Sequence, residues 1–181
     1  MQRCHNFQCQ SKKVQVKRSV FLFLLPVLMI ACKKEQGSRV DVFLLKSFSS
    51  SIDTTKRPAI HIINNAILND SPLIADHDII FYTKETCTFT CRKDIQSVIQ
   101  NYGPDKAFAV MVDSKVIYYG VFHPLYQSSL TYGVATISPF LLRNNELRID
   151  FINLTGTYVS QLDQRNDIRI LAALNASGRL K

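Results

Sequence analysis

The sequence predicts an α+β fold, a mostly antiparallel sheet of four to six strands with two or three helices. Three observations point there. Two apolar, β-branched runs, Ala107–Asp113 and Lys115–His123, meet at a turn at Asp113-Ser114 and read as a hairpin. Leu147–Ile152 sets Leu147, Ile149 and Phe151 against Arg148 and Asp150, the alternation of a strand with one wet face. Helical stripes follow strands without one-for-one alternation, which favours α+β over a parallel βαβ sheet.

Taken in order, the chain first shows a segment that is not part of that fold. Residues 1–31 carry Arg3, Lys12, Lys13, Lys17 and Arg18 and no acid, and Val20–Ala31 is an unbroken run of 12 apolar residues counting Pro26. Roughly 20 apolar residues are needed to span a bilayer, whereas a signal-peptide apolar region takes about 7–15. The run has the length of a signal and is too short for a span. At its end, Met29-Ile30-Ala31-Cys32 resembles the lipobox of bacterial lipoproteins, with Met29 where Leu is usual. The resemblance implies cleavage before Cys32, with diacylglyceryl and N-acyl groups attached to that cysteine. One acyl chain binds a membrane only marginally, so the extra chains are what would make the attachment permanent. Lys33, where an Asp would suggest retention at the inner membrane, resembles lipoproteins sent to the outer membrane, with its periplasmic or surface face left open. The expected organisation is a removed signal over 1–31, an anchor and short linker over 32–38, and a single α+β domain over 39–181.

Within that domain Arg39–Phe48 predicts a strand, and Ser47–Thr55 a polar loop. After Lys56-Arg57-Pro58, the spacing of Ile60, Ile63 and Ile67 suits a helix, and Ala59–Ile63 suits a short strand nearly as well. Asn69–Pro72 ends the element. Asp78–Thr83 and Thr86–Thr90 flank Lys84-Glu85 as a short hairpin. Thr90 is placed to cap a helix from Arg92 to Asn101, stopped by Gly103-Pro104. Tyr132–Ser138 and Leu147–Ile152 predict two further strands. Asp167–Asn175 predicts a closing helix with Asn166 as N-cap and Gly178 past its end.

Charge excludes one function class. The whole chain carries 22 basic and 14 acidic residues, a net +8. Five of the basic residues belong to residues 1–31, which leaves 17 against 14 and a net of +3, scattered rather than clustered. A nucleic-acid surface needs a basic patch on one face, so no nucleic-acid partner is expected.

Of five cysteines, Cys4 and Cys9 fall in the signal and Cys32 is the lipid attachment site. Cys87 and Cys91 would lie about 13 Å apart on one continuous strand. A disulfide, which tolerates Cα separations up to about 7 Å, therefore requires the chain to turn between them. The densest polar cluster is Asp76-His77-Asp78. It offers metal-ligand residue types, with His123 and His61 as further donors, although neighbours on a strand point to opposite faces. Tyr118, Tyr119, Phe122, Tyr126 and Tyr132 supply aromatics for a core or, where they meet water, for a ligand surface. Ser128 and Ser129 lack the G-x-S-x-G setting of a nucleophile, and no Gly-rich phosphate loop, H-E-x-x-H or C-x-x-C is present, so no cofactor is expected.

The run Phe108–Asp113, Val116–Gly120 and then Gly133 to Ile137 resembles the periplasmic head of SecD-type export subunits. Asp113-Ser114 stands where Asp-Gly is expected, and no transporter helices follow. The resemblance covers about 35 residues and implies a similarity of fold, not an export activity. Together these features lead to the expectation of a lipid-anchored envelope protein acting as a non-enzymatic binding or interaction module of unassigned partner, an envelope protein being the candidate. Two alternatives stand beside it: a small metal-dependent hydrolase using Asp76, His77, Asp78 and His123, or an accessory subunit of an envelope assembly or export complex.

Overall fold

A polar stretch can be a strand when another strand supplies its hydrogen bonds, and that rule shapes the first arm of this protein. The structure is a computed structural model and describes residues 37–56, 59–124, 131–152 and 161–181. Its first strand, β1 (Val40–Asp53), runs straight through the predicted Ser47–Thr55 loop and pairs antiparallel with β2 (Ile60–Leu68). Asn64 Nδ2 donates to Ser51 Oγ at 3.1 Å and Asn65 Nδ2 to Ser49 Oγ at 3.3 Å, so the serines are used as cross-strand partners. The Ile60–Ile67 segment is accordingly a strand and not a helix.

The remaining elements are β3 (Ile79–Thr83), β4 (Thr88–Cys91), α1 (Gln96–Ile99), β5 (Ala107–Val112), β6 (Lys115–Phe122), β7 (Ala135–Ile137), β8 (Glu146–Arg148), β9 (Asp150–Phe151) and α2 (Ile168–Ala176). They form a six-stranded sheet in the order β2-β1-β5-β6-β7-β9 and a three-stranded sheet in the order β3-β4-β8. The fold is α+β. The larger sheet is mixed, because β7 runs parallel to β6 while every other neighbouring pair is antiparallel.

The β5–β6 hairpin is the centre of the molecule. All six residues of β5 are buried, since strands cover it on both sides and side chains pack on both faces. Asp113 and Ser114 have φ of 49° and 65°, a type I′ turn made without glycine. Burying a side chain such as Phe108, fully removed from water, contributes roughly 1.5–3 kcal/mol. Gly120 makes room for it: a Cβ there would lie 2.1 Å from Phe108 Cζ and 2.7 Å from the Ala135 carbonyl oxygen.

One face of the large sheet supplies Val42, Phe108, Val110, Tyr118 and Phe122 to the main core. The small sheet supplies Tyr82, Phe89 and Leu147, and α2 supplies Ile170 and Leu174. The opposite face builds a second cluster around Leu45, Ala107 and Ala109, covered by Ile63, Ala66 and Leu68 of the β2 arm.

Four boundaries differ from expectation. Thr90 lies in β4 opposite Glu146, and α1 starts only at Gln96 because Arg92, Ile95 and Gln96 donate their N–H groups to Asp78 and Asn144 carbonyls. Just ahead of Ile95, the N-cap of that short helix, Asp94 Oδ1 accepts from Ser97 N–H at 3.1 Å. Leu147–Ile152 is two strands in two sheets, with the Ile149 N–H turned to the Cys87 carbonyl between them. The closing helix is capped by Asp167, whose carboxylate accepts from Arg169 N–H at 2.9 Å, because Asn166 is engaged elsewhere. The predicted Tyr132–Ser138 strand is shortened to Ala135–Ile137. No helix of the described residues is long and apolar enough to cross a membrane.

Candidate functional site

Asp76, His77 and Asp78 form a single 3-10 turn between the arm and β3. Asp76 Oδ1 accepts from Val40 N–H at 2.8 Å and from Arg179 Nη2 at 2.7 Å, while Asp76 N–H donates to Asp41 Oδ1 at 2.8 Å. Asp78 Oδ2 accepts from Lys93 Nζ at 2.8 Å and from Ala75 N–H at 3.1 Å. The Lys93 bond holds the Asp78 carboxyl below its ordinary pKa against the opposing effect of burial. Both carboxylates therefore point at cations and backbone amides that tie the chain together. The His77 side chain is 80% exposed and its Nε2 lies 3.7 Å from Asp78 Oδ1. His123 sits beyond β6, where its N–H donates to the Ile137 carbonyl and its Nδ1 lies 3.5 Å from Thr131 Oγ1. Among the described residues, no three His, Cys, Asp or Glu side chains are grouped to hold a metal.

Cys87 and Cys91 are both buried free thiols. Burial pushes the Cys91 thiol up to about 12. Cys87, with φ of 50°, accepts from Asn166 Nδ2 at 3.6 Å in a polar cluster at the edge of the core. Tyr82 Oη reaches into the same cluster, its single proton shared between the Arg165 carbonyl at 2.9 Å and Asn166 Oδ1 at 3.1 Å. Arg165 grips Asp163 through both oxygens and donates to the Ile149 carbonyl at 3.0 Å. These bonds fix the segment that precedes α2, and with it Leu162 and Gln164.

Leu162 and Gln164 form one bank of an open cleft of about 420 Å³, within the size range of small-ligand sites. The start of β2 forms a second bank, with Ile60, His61, Ile62 and Ile63. His61 N–H donates to the Tyr132 carbonyl at 2.9 Å, which brings β2 against the chain entering β7. Gly133 is required there: its φ is +73° and a Cβ would lie 2.6 Å from Ile60 Cγ2. Ile117, Tyr118 and Tyr119 of β6 line the cleft from the third side. Every lining residue is uncharged at neutral pH; burial lowers the His61 pKa and so favours its neutral form.

Tyr118 carries the one buried side-chain oxygen among the described residues that has no hydrogen-bond partner. Its desolvation raises the phenol pKa further above the ordinary value. Of the aromatics singled out in the sequence, Tyr118 and Phe122 are buried, and Tyr119 and Tyr132 are half-buried. Tyr126, Ser128, Ser129 and the lipid attachment site Cys32 lie outside the described residues. Sequence reasoning named His61 only as a spare metal donor and gave no role to Ile62, Leu162 or Gln164. Nothing local marks them, because the cleft is assembled from three separate parts of the chain. No protein-family model matches the chain, and no curated protein or solved structure matches it.

Proposed function

We propose that this chain is a lipid-anchored protein of a bacterial cell envelope whose folded domain is a non-enzymatic binding module for an envelope protein partner. The anchoring rests on the basic segment, the short apolar run and Ala31-Cys32. The observation that carries the binding half is a division of labour among side chains. Asp76 and Asp78, the residues best suited to chemistry, are spent on Arg179, Lys93 and backbone amides, while the open cleft is apolar and uncharged. Such a surface suits recognition through burial and shape.

Three measurements test this. Cys32→Ala is expected to leave the protein at precursor size or to release it from membranes; unchanged size and fractionation would sink the anchor. Crosslinking in intact cells is expected to recover an envelope protein. Recovery of an assembly or export complex would favour the accessory role. One stoichiometric divalent ion in the purified chain, lost in the Asp78→Asn variant, would favour the hydrolase instead.

A further inference from the structure

Resting on the binding-module reading, we propose that the cleft takes an uncharged, extended peptide segment of the partner, which adds as a strand to the open edge of β2. The edge itself is the first reason. β2 is the outermost strand of the large sheet, and alternate residues of an antiparallel strand turn their N–H and C=O away from the partner strand. His61 is one such residue, since its N–H leaves β1 and reaches Tyr132. Ile63, two residues on, faces the same way. Among the described residues no further backbone bond joins that side of β2.

A second edge lies across the cleft. β7 pairs with β6 only from Gly120 onward, so among the described residues the β7 side of Ile117–Tyr119 carries no strand. Groups spaced like this are satisfied by another extended backbone, which is the recognition mode of strand addition. Alternate side chains of the added strand would enter the cleft, and its lining tells which kind: with no Lys, Arg, Asp or Glu among the lining residues, a charge there would be desolvated without a partner.

Among the described residues the edge of β2 past His61 is thinly protected, with a bulge at Asn65 near its far end. Exposed edges are ordinarily blunted by Lys, Pro or a covering segment. The other sheet does this: Arg179–Lys181 lie along β3, with Tyr82 N–H donating to Arg179 and Lys181 N–H to Tyr82. The β2 sequence IHIINNAIL carries no Lys, Arg, Pro, Asp or Glu, and Ile62 and Ile67 are exposed. A second copy of this chain paired edge to edge through β2 is the competing occupant, and a concentration-dependent dimer in sedimentation that Ile62→Lys abolishes would overturn the peptide assignment.

The test uses the full-length chain in detergent as bait for a displayed library of random heptapeptides. Enriched peptides are expected to be uncharged, with apolar residues at every second position. N-methylation of alternate amides removes backbone donors while keeping side chains, and should weaken binding at least about tenfold, as loss of two or more net hydrogen bonds predicts. Ile62→Lys should weaken binding as much, whereas Ile168→Lys, at an exposed isoleucine of α2 that does not line the cleft, should leave it unchanged. The N-methyl comparison leaves the protein untouched, so it holds even if a variant folds poorly. Charged consensus sequences, affinity indifferent to N-methylation, or no enrichment at all overturns strand addition. In-cell crosslinking decides the binding-module reading separately: a partner recovered equally by wild type and Ile62→Lys keeps that reading while discarding this one.

Discussion

At the scale of single residues, the hydrogen-bond ledger separates structural polar groups from idle ones. Tyr118 Oη is buried with no partner among the described residues, and leaving such a group unsatisfied costs about 1–3 kcal/mol. Tyr118→Phe is therefore expected to be neutral or to raise stability by up to about 1 kcal/mol in urea denaturation. A loss larger than that would mean the hydroxyl has a partner in solution. Asp76 is the opposite case. Its carboxylate holds both the start of β1 and Arg179, and Asp76→Ala leaves the Val40 amide without its acceptor and a largely covered guanidinium without its carboxylate, held only by the Asp76 carbonyl and Ser177 Oγ. The expected cost is about 2–4 kcal/mol, read as a lower denaturation midpoint; a change within error would remove Asp76 from the scaffold. The sequence flagged Asp76 and Asp78 as the densest polar cluster but not their purpose. Their partners, Val40, Lys93 and Arg179, come from three distant parts of the chain.

At the scale of elements, legibility tracks how many neighbours an element has. The β5–β6 hairpin is readable because strands and core packing surround it, so its residues are apolar almost without interruption. Ser47–Asp53 reads as loop because it has one partner strand and water elsewhere, and its bonds run through Ser and Asn side chains. Leu147–Ile152 alternates correctly, yet the pattern does not reveal that the chain changes sheet at Ile149. The Arg92–Asn101 periodicity is real in Ile95 and Ile99, both buried, but tertiary bonds to Asn144 occupy the helix's first turn. The type I′ turn supplies the test at this scale. Ser114 holds φ of 65°, a conformation that glycine reaches without a Cβ penalty. Ser114→Gly should stabilise the hairpin by about 0.5–1 kcal/mol, seen as a higher thermal midpoint. A lower midpoint would show that the serine side chain contributes more than the strain costs.

For the whole molecule, stability should fall with acid in two stages. Burial lowers the His61 pKa, so the folded state resists its protonation, and stability present above about pH 6.5 declines as pH falls through the folded value. His61→Gln should flatten that stage. The second stage belongs to carboxyls with lowered pKa. Burial raises that of Asp163, but the bonds from Arg165 outweigh it; Lys93 lowers that of Asp78, and Arg39 N–H that of Asp113. Their contribution is complete above the unfolded value of about 3.9 and disappears as pH drops through the folded values. Unfolding midpoints across pH 3–8 measure both stages, at roughly the unfolded pKa values given; a profile that rises toward acid would contradict them. The strand of residues at 179–181 has a further, temporal consequence. A chain that emerges N-terminus first can form the β1–β2 arm at once, but β1 waits for β5 and β4 waits for β8. Only Arg179 and Lys181 then close β3 and neutralise Asp76. The β3 edge is thus closed by residues about a hundred positions further along the chain, and a chain stalled before them would present a bare strand edge to every neighbour in the meantime.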